Sequence, residues 1–372
     1  MGKDSSNLGI YRDKSIIVTG HSGFKGSWLS IWLTELGAEV VGFSIDPPTK
    51  PNMFETTRLE EKITHVFGDV RDAQHLQSVF EKYEPEIVFH LAAQPIVRRS
   101  YREPSLTFET NVMGTVNVLE AVRQTKCAKT VIVVTSDKCY ENKEADYAFK
   151  ETDPMGGHDP YSASKGCAEL VVSAYRNSFF NSHSGSRKVA IASARAGNVI
   201  GGGDWGEDRL VPDCMRALSA KNEIVIRNST SIRPWQHVLE PLSGYLLLGA
   251  RLHRDGKKYS GAWNFGPSEI EGVTVEEVVK KIMTLWGDGR YRVELSQNAL
   301  HEAKLLRLDC GKASKLLGWK PTYSIDEALK ETVMWYKEYY QKGGANDMYQ
   351  YTVNQIRGYA EKSGFNVGSQ GD

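Results

Sequence analysis

Tyr161 and Lys165 lie four positions apart in the segment Y-S-A-S-K, and their side chains could act together. On a helix this spacing places both side chains on one face. A lysine ammonium beside a phenol lowers the tyrosine pKa, so the phenolate can take a proton from a hydroxyl while hydride leaves the same carbon. The pair therefore favours oxidation of an alcohol. The alternative is a surface tyrosine and lysine that share a helix face by chance.

Ser136 ends the β-rich run TVIVVTS, a short segment before Tyr161, and can reach the same pocket. Ser136, Tyr161 and Lys165 then form a triad for hydroxyl chemistry. Asp137 and Lys138 follow directly, which adds a carboxyl and an amine at the same strand end. In the alternative interpretation, Asp137 only begins a loop and Lys138 pairs with a phosphate.

Three glycines, Gly20, Gly23 and Gly26, follow the β-rich run SIIVTG in the pattern G-x-x-G-x-x-G. A helix is predicted to start at about Phe24, with Lys25 in its first turn. Glycines permit a tight turn, close approach of the backbone to a pyrophosphate and close packing of helix on strand. The helix N-terminus favours the diphosphate charge. The pattern predicts a dinucleotide site, although such a turn can be merely structural.

Six further residues are candidates for contact with the dinucleotide. Asp46 ends the run EVVGFSID about 20 residues after the last glycine, where a carboxylate accepts hydrogen bonds from a ribose diol and repels a 2′-phosphate. NAD is therefore favoured over NADP, although Asp46 could simply begin the turn before Pro47. The other candidates follow the predicted third and fourth strands: Asp69, Val70, Leu91, Ala92 and Ala93.

The first half of the chain alternates β-rich runs with longer amphipathic stretches. This alternation predicts a Rossmann-type, doubly wound parallel sheet with helices on both faces. Its apolar runs lack strand-type alternation, as expected for strands that are buried on both faces. We predict an NAD-binding domain over 1–197, a smaller mixed α/β substrate domain over 198–345 with some elements crossing back, and a C-terminal tail over 346–372.

Composition argues against several functional classes. The 372 residues carry 46 Lys plus Arg and 46 Asp plus Glu, so no excess of charge favours nucleic acid or an anionic membrane as partner. We find no apolar run near 20 residues and no signal peptide, and a cytoplasmic protein is expected. The five cysteines lack C-x-x-C spacing, so neither a disulfide framework nor a metal site is expected.

Five motifs occur in order along nearly the whole chain: TGHSGFKGSWLS, HLAAQP, TSDKCYEN, YSASK and RAGNVIGGGDW. In them the chain resembles the extended short-chain dehydrogenase/reductases that act on nucleotide sugars. Lys25 in the glycine loop and S-D-K after the fifth strand resemble the CDP-glucose 4,6-dehydratases more than the dTDP-glucose 4,6-dehydratases. The latter usually show T-D-E at that place.

The resemblance implies a lyase reaction with tightly bound NAD that is regenerated in each turnover. Tyr161 helps to oxidise glucose at C4, the ketone makes the C5 proton acidic, water is eliminated across C5 and C6, and hydride returns to C6. By position, Asp137 is the acid for the C6 hydroxyl, and Lys138 stands where the T-D-E enzymes place their glutamate base. A lysine can act as a base only when neutral, which requires a pKa lowered by burial or nearby positive charge.

The same resemblance supplies candidates for substrate binding. Asn198 is expected to touch the substrate diphosphate, and Arg233 to lie near the ribose and phosphate, since an arginine fork suits a phosphate. Either could instead be a surface group or a cap, and Arg233 could stack on an aromatic ring. Lys304 and Arg307 are possible further phosphate partners.

Two other functions compete. A nucleotide-sugar 4-epimerase shares the fold, NAD and the triad but needs no acid and base at C5 and C6, so Asp137 and Lys138 argue against it. A catalytically silent NAD-binding regulatory protein is the second, and the intact triad argues against that. The resemblance also implies a homodimer or dimer of dimers, formed by helices around 111–125 and 162–180, and a role in deoxysugars of bacterial surface polysaccharide such as O-antigen.

Overall fold

The computed structural model describes residues 8–142, 147–180, 188–267, 272–294, 306–341 and 347–365. The strands in these ranges are β1 (Ser15–Thr19), β2 (Glu39–Ser44), β3 (Thr64–Phe67), β4 (Ile87–His90), β5 (Thr130–Val134), β6 (Ala148–Phe149), β7 (Ala190–Arg195), β8 (Val199–Ile200), β9 (Ile224–Ile226), β10 (Ile232–Arg233), β11 (Gln236–His237), β12 (Gly261–Asn264), β13 (Val273–Thr274), β14 (Tyr291–Val293) and β15 (Arg307–Leu308).

The α-helices in the same ranges are α1 (Phe24–Glu35), α2 (Met53–Thr56), α3 (Ala73–Tyr83), α4 (Val97–Arg102), α5 (Pro104–Phe108), α6 (Gly114–Thr125), α7 (Pro160–Tyr175), α8 (Leu210–Ser219), α9 (Leu239–Asp255), α10 (Val275–Trp286), α11 (Ile325–Gln341) and α12 (Met348–Ser363). A π-helical turn, Glu109–Met113, joins α5 to α6, and another, Arg176–Phe180, extends α7. The two long helices predicted from the sequence are thus present, each with one wider turn.

Seven strands form a single parallel sheet in the order β12-β7-β5-β4-β1-β2-β3. The chain builds one side of the sheet from β1 to β3 and then starts the other side at β4. Parallel sheets bind ligands in the crevice beyond the carboxyl ends of the two strands where the order reverses. The predicted fold class is confirmed, and the crevice lies beyond β1 and β4.

Both faces of the sheet are buried at its central strands, as the non-alternating apolar runs predicted, while the edge strand β3 is largely exposed. Side chains alternate between faces along a strand. Ile16 and Val18 of β1 accordingly belong to one apolar cluster, and Ile17 belongs to the other. Helices α3 and α6 cover the second face, while α1 and α9 cover the first.

The second half of the chain returns to the main sheet. Helix α9 packs on β5 and β7, and β12 pairs in parallel with β7. Elements from residues 198–345 therefore return to the sheet of the predicted NAD-binding domain, as expected. The division of domains at residue 197 stays a prediction.

The structure differs from the predicted tail over 346–372. Residues 348–363 form α12, which packs on α1 and buries Val353, Ile356 and Tyr359 completely. The edge of the Tyr359 ring meets the ring of Trp32 with centroids 5.9 Å apart. An apolar spacing of three residues carries this helix into the core, so only residues after 365, which lie outside the described ranges, are left to the tail prediction.

Candidate active site

The glycine turn between β1 and α1 needs glycine for two separate reasons. Gly20 has φ +75°, and a Cβ there would lie 2.7 Å from the Ala92 nitrogen. A Cβ at Gly26 would lie 2.1 Å from the Gly20 oxygen, so α1 can approach β1 this closely only without a side chain. Helix α1 begins at Phe24, as predicted, and Gly23 caps it without a side-chain hydrogen bond. The first amides of α1 therefore suit the phosphates of a dinucleotide.

Ser22 joins this turn to the end of β2, a contact that the sequence did not indicate. Its hydroxyl donates to the Ile45 carbonyl at 2.9 Å and lies 2.8 Å from Ser44 Oγ. Asp46 follows and is exposed, two residues beyond the end of β2 rather than inside the strand. A carboxylate at this edge fits the ribose diol of NAD, and that role for Asp46 stays a prediction.

Asp69 and Val70, the predicted adenine neighbours, differ in their surroundings. The Arg71 guanidinium donates to Asp69 Oδ2 at 2.6 Å. Burial acts to raise the pKa of Asp69, but the hydrogen bonds from Arg71 outweigh it and leave the pKa below its ordinary value. Val70 is buried, and its carbonyl accepts a hydrogen bond from Asn117. Asp69 is thus an ion-paired carboxylate and Val70 packs in the core, and the adenine contacts of both stay predictions.

The turn after β4 runs beside the glycine turn. The Leu91 amide donates to the Thr19 carbonyl at 3.1 Å, and the Ala92 amide to Thr19 Oγ1 at 3.3 Å. Leu91, Ala92 and Ala93 are half-buried. Their backbone is therefore fixed at the end of β1, with small side chains at the position predicted to meet the nicotinamide half.

Asn111 ties this turn to α7, and sequence reasoning missed it. Its Oδ1 accepts from the Gln94 amide at 2.8 Å, and its Nδ2 donates to Ser164 Oγ at 2.8 Å. Asn111 lies in the π-helical turn Glu109–Met113, which widens the helix where these bonds form. An asparagine in a predicted helix gave no sign of this position.

Helix α7 places Tyr161 and Lys165 on one buried face, as predicted. Asp159 caps the helix by accepting from the Ser162 amide at 2.9 Å, and Pro160 occupies its first position. Proline suits the first turn because its missing N–H has no partner there. Tyr161 is thereby fixed one residue inside a well-defined helix start.

The charge states of this pair differ from the sequence prediction. Burial raises the pKa of Tyr161 to about 12, and a hydrogen bond with Ser136 opposes that shift. The predicted net lowering of the Tyr161 pKa is therefore not found, because burial outweighs the hydrogen bond and the charge that lower it. Burial also lowers the pKa of Lys165 to about 8, with Cys139 and Glu169 opposing it. The Lys165 ammonium donates to the Val134 carbonyl at 3.5 Å.

The segment after β5 brings Ser136 and the acid candidate, Asp137, to Tyr161. Ser136 caps a short helical turn over Asp137–Cys139 by accepting from the Lys138 amide at 3.2 Å. Its hydroxyl donates to Asp137 Oδ1 at 3.0 Å. Asp137 is buried, and a Cβ at Gly197 would lie 1.8 Å from its Oδ2, so only glycine permits this carboxylate position. Lys138 is half-buried beside it.

Two cationic residues and one acid from other parts of the chain interact electrostatically near Asp137. The charge of Lys25 on α1 interacts with those of Arg209 and Asp137, and burial, together with Arg209, lowers the pKa of Lys25 to about 8. Asp204 accepts from Arg209 at 2.8 Å and is the main cause of the raised pKa of Arg209. The sequence placed Lys25 in the cofactor turn. It gave no role to Asp204, although this residue lies in the motif RAGNVIGGGDW, or to Arg209, which lies outside the motifs.

The predicted substrate residues are only partly brought to this centre. Asn198 has φ +49° and directly follows Gly197, which packs on the Asp137 carboxylate. Arg233 on β10 lines a shallow depression with Trp235. Arg307 lies on β15, half-buried, and Lys304 lies outside the described residues. The roles of these four residues stay predictions.

Two classes of feature are absent from the described residues. Within them, no cluster of three or more His, Cys, Asp or Glu side chains is disposed to hold a metal ion. Over the same part of the chain, no helix has both the length and the apolar content for a membrane crossing.

Comparison with known proteins is consistent with this site. Residues 17–332 match the family model described as GDP-mannose 4,6 dehydratase. A CDP-glucose 4,6-dehydratase from Salmonella typhimurium strain LT2 is 53% identical over 329 residues, which cover 88% of this chain and 92% of the relative.

Solved structures show the same fold at lower identity. An epimerase from Methanothermobacter thermautotrophicus superposes with a TM-score of 0.76 at 24% identity, covering 90% of this chain and 95% of that one. A dTDP-glucose 4,6-dehydratase from Bacillus anthracis, solved in complex with NAD, superposes with a TM-score of 0.70 at 21% identity, covering 87% and 97%. The family match over most of the chain, with the high identity of one relative, shows that this protein belongs to the GDP-mannose 4,6 dehydratase family of NAD-dependent nucleotide-sugar dehydratases.

Proposed function

We propose that this chain is a 4,6-dehydratase that converts CDP-glucose to CDP-4-keto-6-deoxyglucose. The observation that carries the proposal is that the Asp137 carboxyl lies with Ser136 and Tyr161 at the end of β5, directly before Lys138 in the chain. A triad alone oxidises a hydroxyl, whereas elimination also requires an acid and a base. The 53% identity with a CDP-glucose 4,6-dehydratase supports both the reaction and the nucleotide.

The cofactor site fits NAD. Glycines 20, 23 and 26 leave the α1 N-terminus accessible to a diphosphate. The Asp46 carboxylate can accept hydrogen bonds from the ribose diol, and its negative charge would repel the 2′-phosphate of NADP. Held by the turn at Gly20, Gly23 and Gly26 and by Asp46, NAD would supply the hydride acceptor and donor that the reaction needs.

The chain's own groups move the protons. Tyr161, hydrogen bonded to Ser136, would accept the C4 hydroxyl proton as its phenolate, a state that the charge of Arg209 favours and burial opposes. The resulting C4 ketone makes the C5 proton acidic, and Lys138 would remove it in its neutral, amine form. Asp137 would give a proton to the C6 hydroxyl in its protonated, acid form, and the hydroxyl then leaves as water. After hydride reaches C6, a proton returns to C5, and the product is a 4-keto-6-deoxy sugar.

Positive charge at this centre suits an anionic substrate. Arg209 is held by Asp204 and is close enough to Tyr161 to influence its ionisation. We assign Arg209, with Asn198, to the diphosphate, and Arg233 and Arg307 to the outer part of the nucleotide. A guanidinium that a carboxylate holds in place can bind a phosphate by donating two parallel hydrogen bonds, without losing its orientation.

A 4-epimerase is the second candidate, because a solved epimerase shares the fold. An epimerase has no use for a buried acid beside the triad. Asp137 is buried, packs closely against Gly197 and accepts a hydrogen bond from Ser136, which favours elimination.

We also propose a dimer, a cytoplasmic location and a role in deoxysugar supply for surface polysaccharide. Exposed apolar side chains stand on or directly before the predicted dimer helices: Phe108, Met113, Leu170 and Phe179. A second subunit that covered them would remove this apolar surface from water. Light scattering tests the dimer, and a mass of one chain at micromolar concentration would remove it.

The proposed reaction is tested by incubating the protein separately with CDP-glucose, dTDP-glucose, UDP-glucose and GDP-mannose. The expected result is the alkaline absorbance of a 4-keto-6-deoxy sugar with CDP-glucose only, without net NADH. Interconversion of UDP-sugars at C4 without a keto product would instead identify an epimerase.

A further inference from the structure

Glu169 lies one helical turn after Lys165 on α7 and is buried. Both of its carboxylate oxygens are fully used. Oε1 accepts from Thr135 Oγ1 at 2.5 Å and from Arg195 Nε at 2.9 Å. Oε2 accepts from Ser193 Oγ at 2.7 Å and from Arg195 Nη2 at 2.7 Å. The side chain therefore ties α7 to both β5 and β7.

Arg195 continues this network on its other side. Its Nη1 donates to the Tyr140 hydroxyl at 2.6 Å, and its guanidinium lies 4.8 Å from the Tyr140 ring centroid. The Tyr140 hydroxyl donates in turn to Asn264 Oδ1 at 2.7 Å. Arg195 thus connects β7 with the segment after β5 and with β12.

The two ions remain charged although they are buried. Burial acts to raise the pKa of Glu169, but hydrogen bonds from Arg195 outweigh it and lower the pKa. Glu169 likewise raises the pKa of Arg195 against the effect of burial. A buried ion pair contributes little net stability compared with apolar packing, because desolvation offsets the attraction. Its specific geometry calls for another explanation.

The position of the pair along the chain supplies that explanation. Thr135, held by Glu169, immediately precedes Ser136. Tyr140, held by Arg195, comes two residues after Lys138. The ion pair therefore fixes both ends of the segment that carries the acid and base, and it also fixes the helix that carries Lys165.

We propose that Glu169 and Arg195 are positioning residues for the elimination step, which hold Asp137 and Lys138 in register with Tyr161. The inference rests on the proposed function, because only a 4,6-dehydratase has that step. We expect the oxidation step to depend only on the Thr135 end of the segment after β5, because that end precedes Ser136. We expect the elimination to depend on both ends, because the acid and the base lie between them. Loosening the Tyr140 end alone should separate the two steps.

Tyr140→Phe is the direct test, since it removes the hydroxyl that joins Arg195 to Asn264 and keeps the ring stacked on Phe149. We expect C4 oxidation, followed as the rise in NADH absorbance after mixing with CDP-glucose, to stay within about twofold of wild type. Elimination should slow by roughly tenfold or more, as expected for a lost hydrogen bond to a charged group. Reduced cofactor should then accumulate in the steady state.

Tyr175→Phe is the matched control, because Tyr175 is the last residue of α7, the helix that carries Glu169. Its hydroxyl donates to Glu120 at 2.7 Å, away from the segment after β5. This variant should keep the wild-type ratio of the two rates. Arg195→Lys keeps the charge beside Glu169 but not the fork that reaches Tyr140, and should reproduce the accumulation of NADH.

The ratio of oxidation to elimination does not depend on the fraction of enzyme that is folded. A wild-type ratio in both Tyr140→Phe and Arg195→Lys, or an equal fall in both rates, would overturn the positioning role. Failure of the wild-type protein to form the keto sugar would overturn the proposed function instead.

Discussion

Two glycine-rich turns, one at 20–26 and one at 201–206, look alike in sequence and differ in what surrounds them. In the first, an added Cβ would meet backbone: the one at Gly26 would lie 2.1 Å from the Gly20 oxygen. In the second, it would meet side chains: the one at Gly202 would lie 2.0 Å from Trp335 Cγ, and the one at Gly203 2.3 Å from Met53 Sδ. The first turn is shaped by close backbone approach, the second by aromatic packing.

The two turns therefore suit different functions: the first is shaped to bind a ligand with its backbone, and the second holds a side chain in place. The first turn ends in the capping position of α1, with helix amides directed outward. The second is held by Trp28, whose Nε1 donates to the Gly202 carbonyl at 2.9 Å, and by the Tyr336 hydroxyl, which donates to the Asp204 carbonyl. The packed turn thereby aims Asp204 at Arg209. A run of glycines alone therefore does not predict a phosphate site.

Gly26→Val should have the largest effect, because its side chain must displace backbone of the cofactor turn. We expect NAD affinity to fall by at least about 100-fold, equivalent to roughly 3 kcal/mol. The measurement is the NAD content of the purified protein and its recovery on titration. Gly358→Ala is the control, since a Cβ at this α12 position meets nothing within 4 Å and should leave NAD binding unchanged. Normal NAD content in Gly26→Val would contradict the role of close backbone approach.

Asp204→Asn should have the next largest effect, on the substrate side. The change removes the charge that holds the Arg209 guanidinium, and a lost charge-assisted hydrogen bond is worth about 1.5–3 kcal/mol. We expect KM for CDP-glucose to rise roughly tenfold with kcat and NAD content less affected. Steady-state kinetics measure this, and an unchanged KM with a reduced kcat would show that Asp204 serves catalysis rather than substrate binding.

Gly202→Ala should lower stability without loss of NAD. Its methyl group must push back Trp335, and overpacking of this kind costs about 1–3 kcal/mol. Thermal unfolding should show Tm lowered by several degrees, while the NAD content stays at the wild-type level. Loss of NAD from this variant would mean that the two turns are not separate in function.

Lys25→Met should have the smallest effect, on the pH dependence of C4 oxidation. Burial lowers the pKa of Lys165 to about 8. The Lys165 ammonium that assists Tyr161 is therefore present below that pH and is lost as the pH rises through it. Lys25 and Lys165 repel each other, so removing Lys25 raises the pKa of Lys165. The alkaline limb of the oxidation rate should move to higher pH. Lys221→Met, at an exposed lysine, should leave it in place, and a limb that moves downward in Lys25→Met contradicts the proximity of the two lysines.

Much of the fold was predictable because it depends on local patterns. Buried apolar runs and glycine spacing placed β1, α1 and the parallel sheet, and helix periodicity placed Tyr161 and Lys165 together. The tail prediction failed at α12, whose apolar residues are buried through contacts with other helices, among them α1, more than 300 positions away in the chain.

The parts of the site that were missed depend on three-dimensional packing. Arg209 reaches Tyr161 because the 201–206 turn is clamped by aromatic rings from α1 and α11, and no local spacing encodes that clamp. The Glu169–Arg195 pair was missed for the same reason, since Glu169 lies on α7 and its partners come from β7 and from the segment after β5. The direction of the Tyr161 pKa shift was wrong because helix spacing does not reveal burial.

The central claim is that one hydride leaves C4 of the sugar and returns to C6 of the same molecule. The most direct measurement is the reaction of CDP-glucose carrying deuterium at C4, with the product's label located by NMR. The account predicts deuterium on C6 of the 4-keto-6-deoxy sugar, with solvent hydrogen at C5. Deuterium retained at C4, or a keto sugar whose C6 hydrogen comes from solvent, would contradict it.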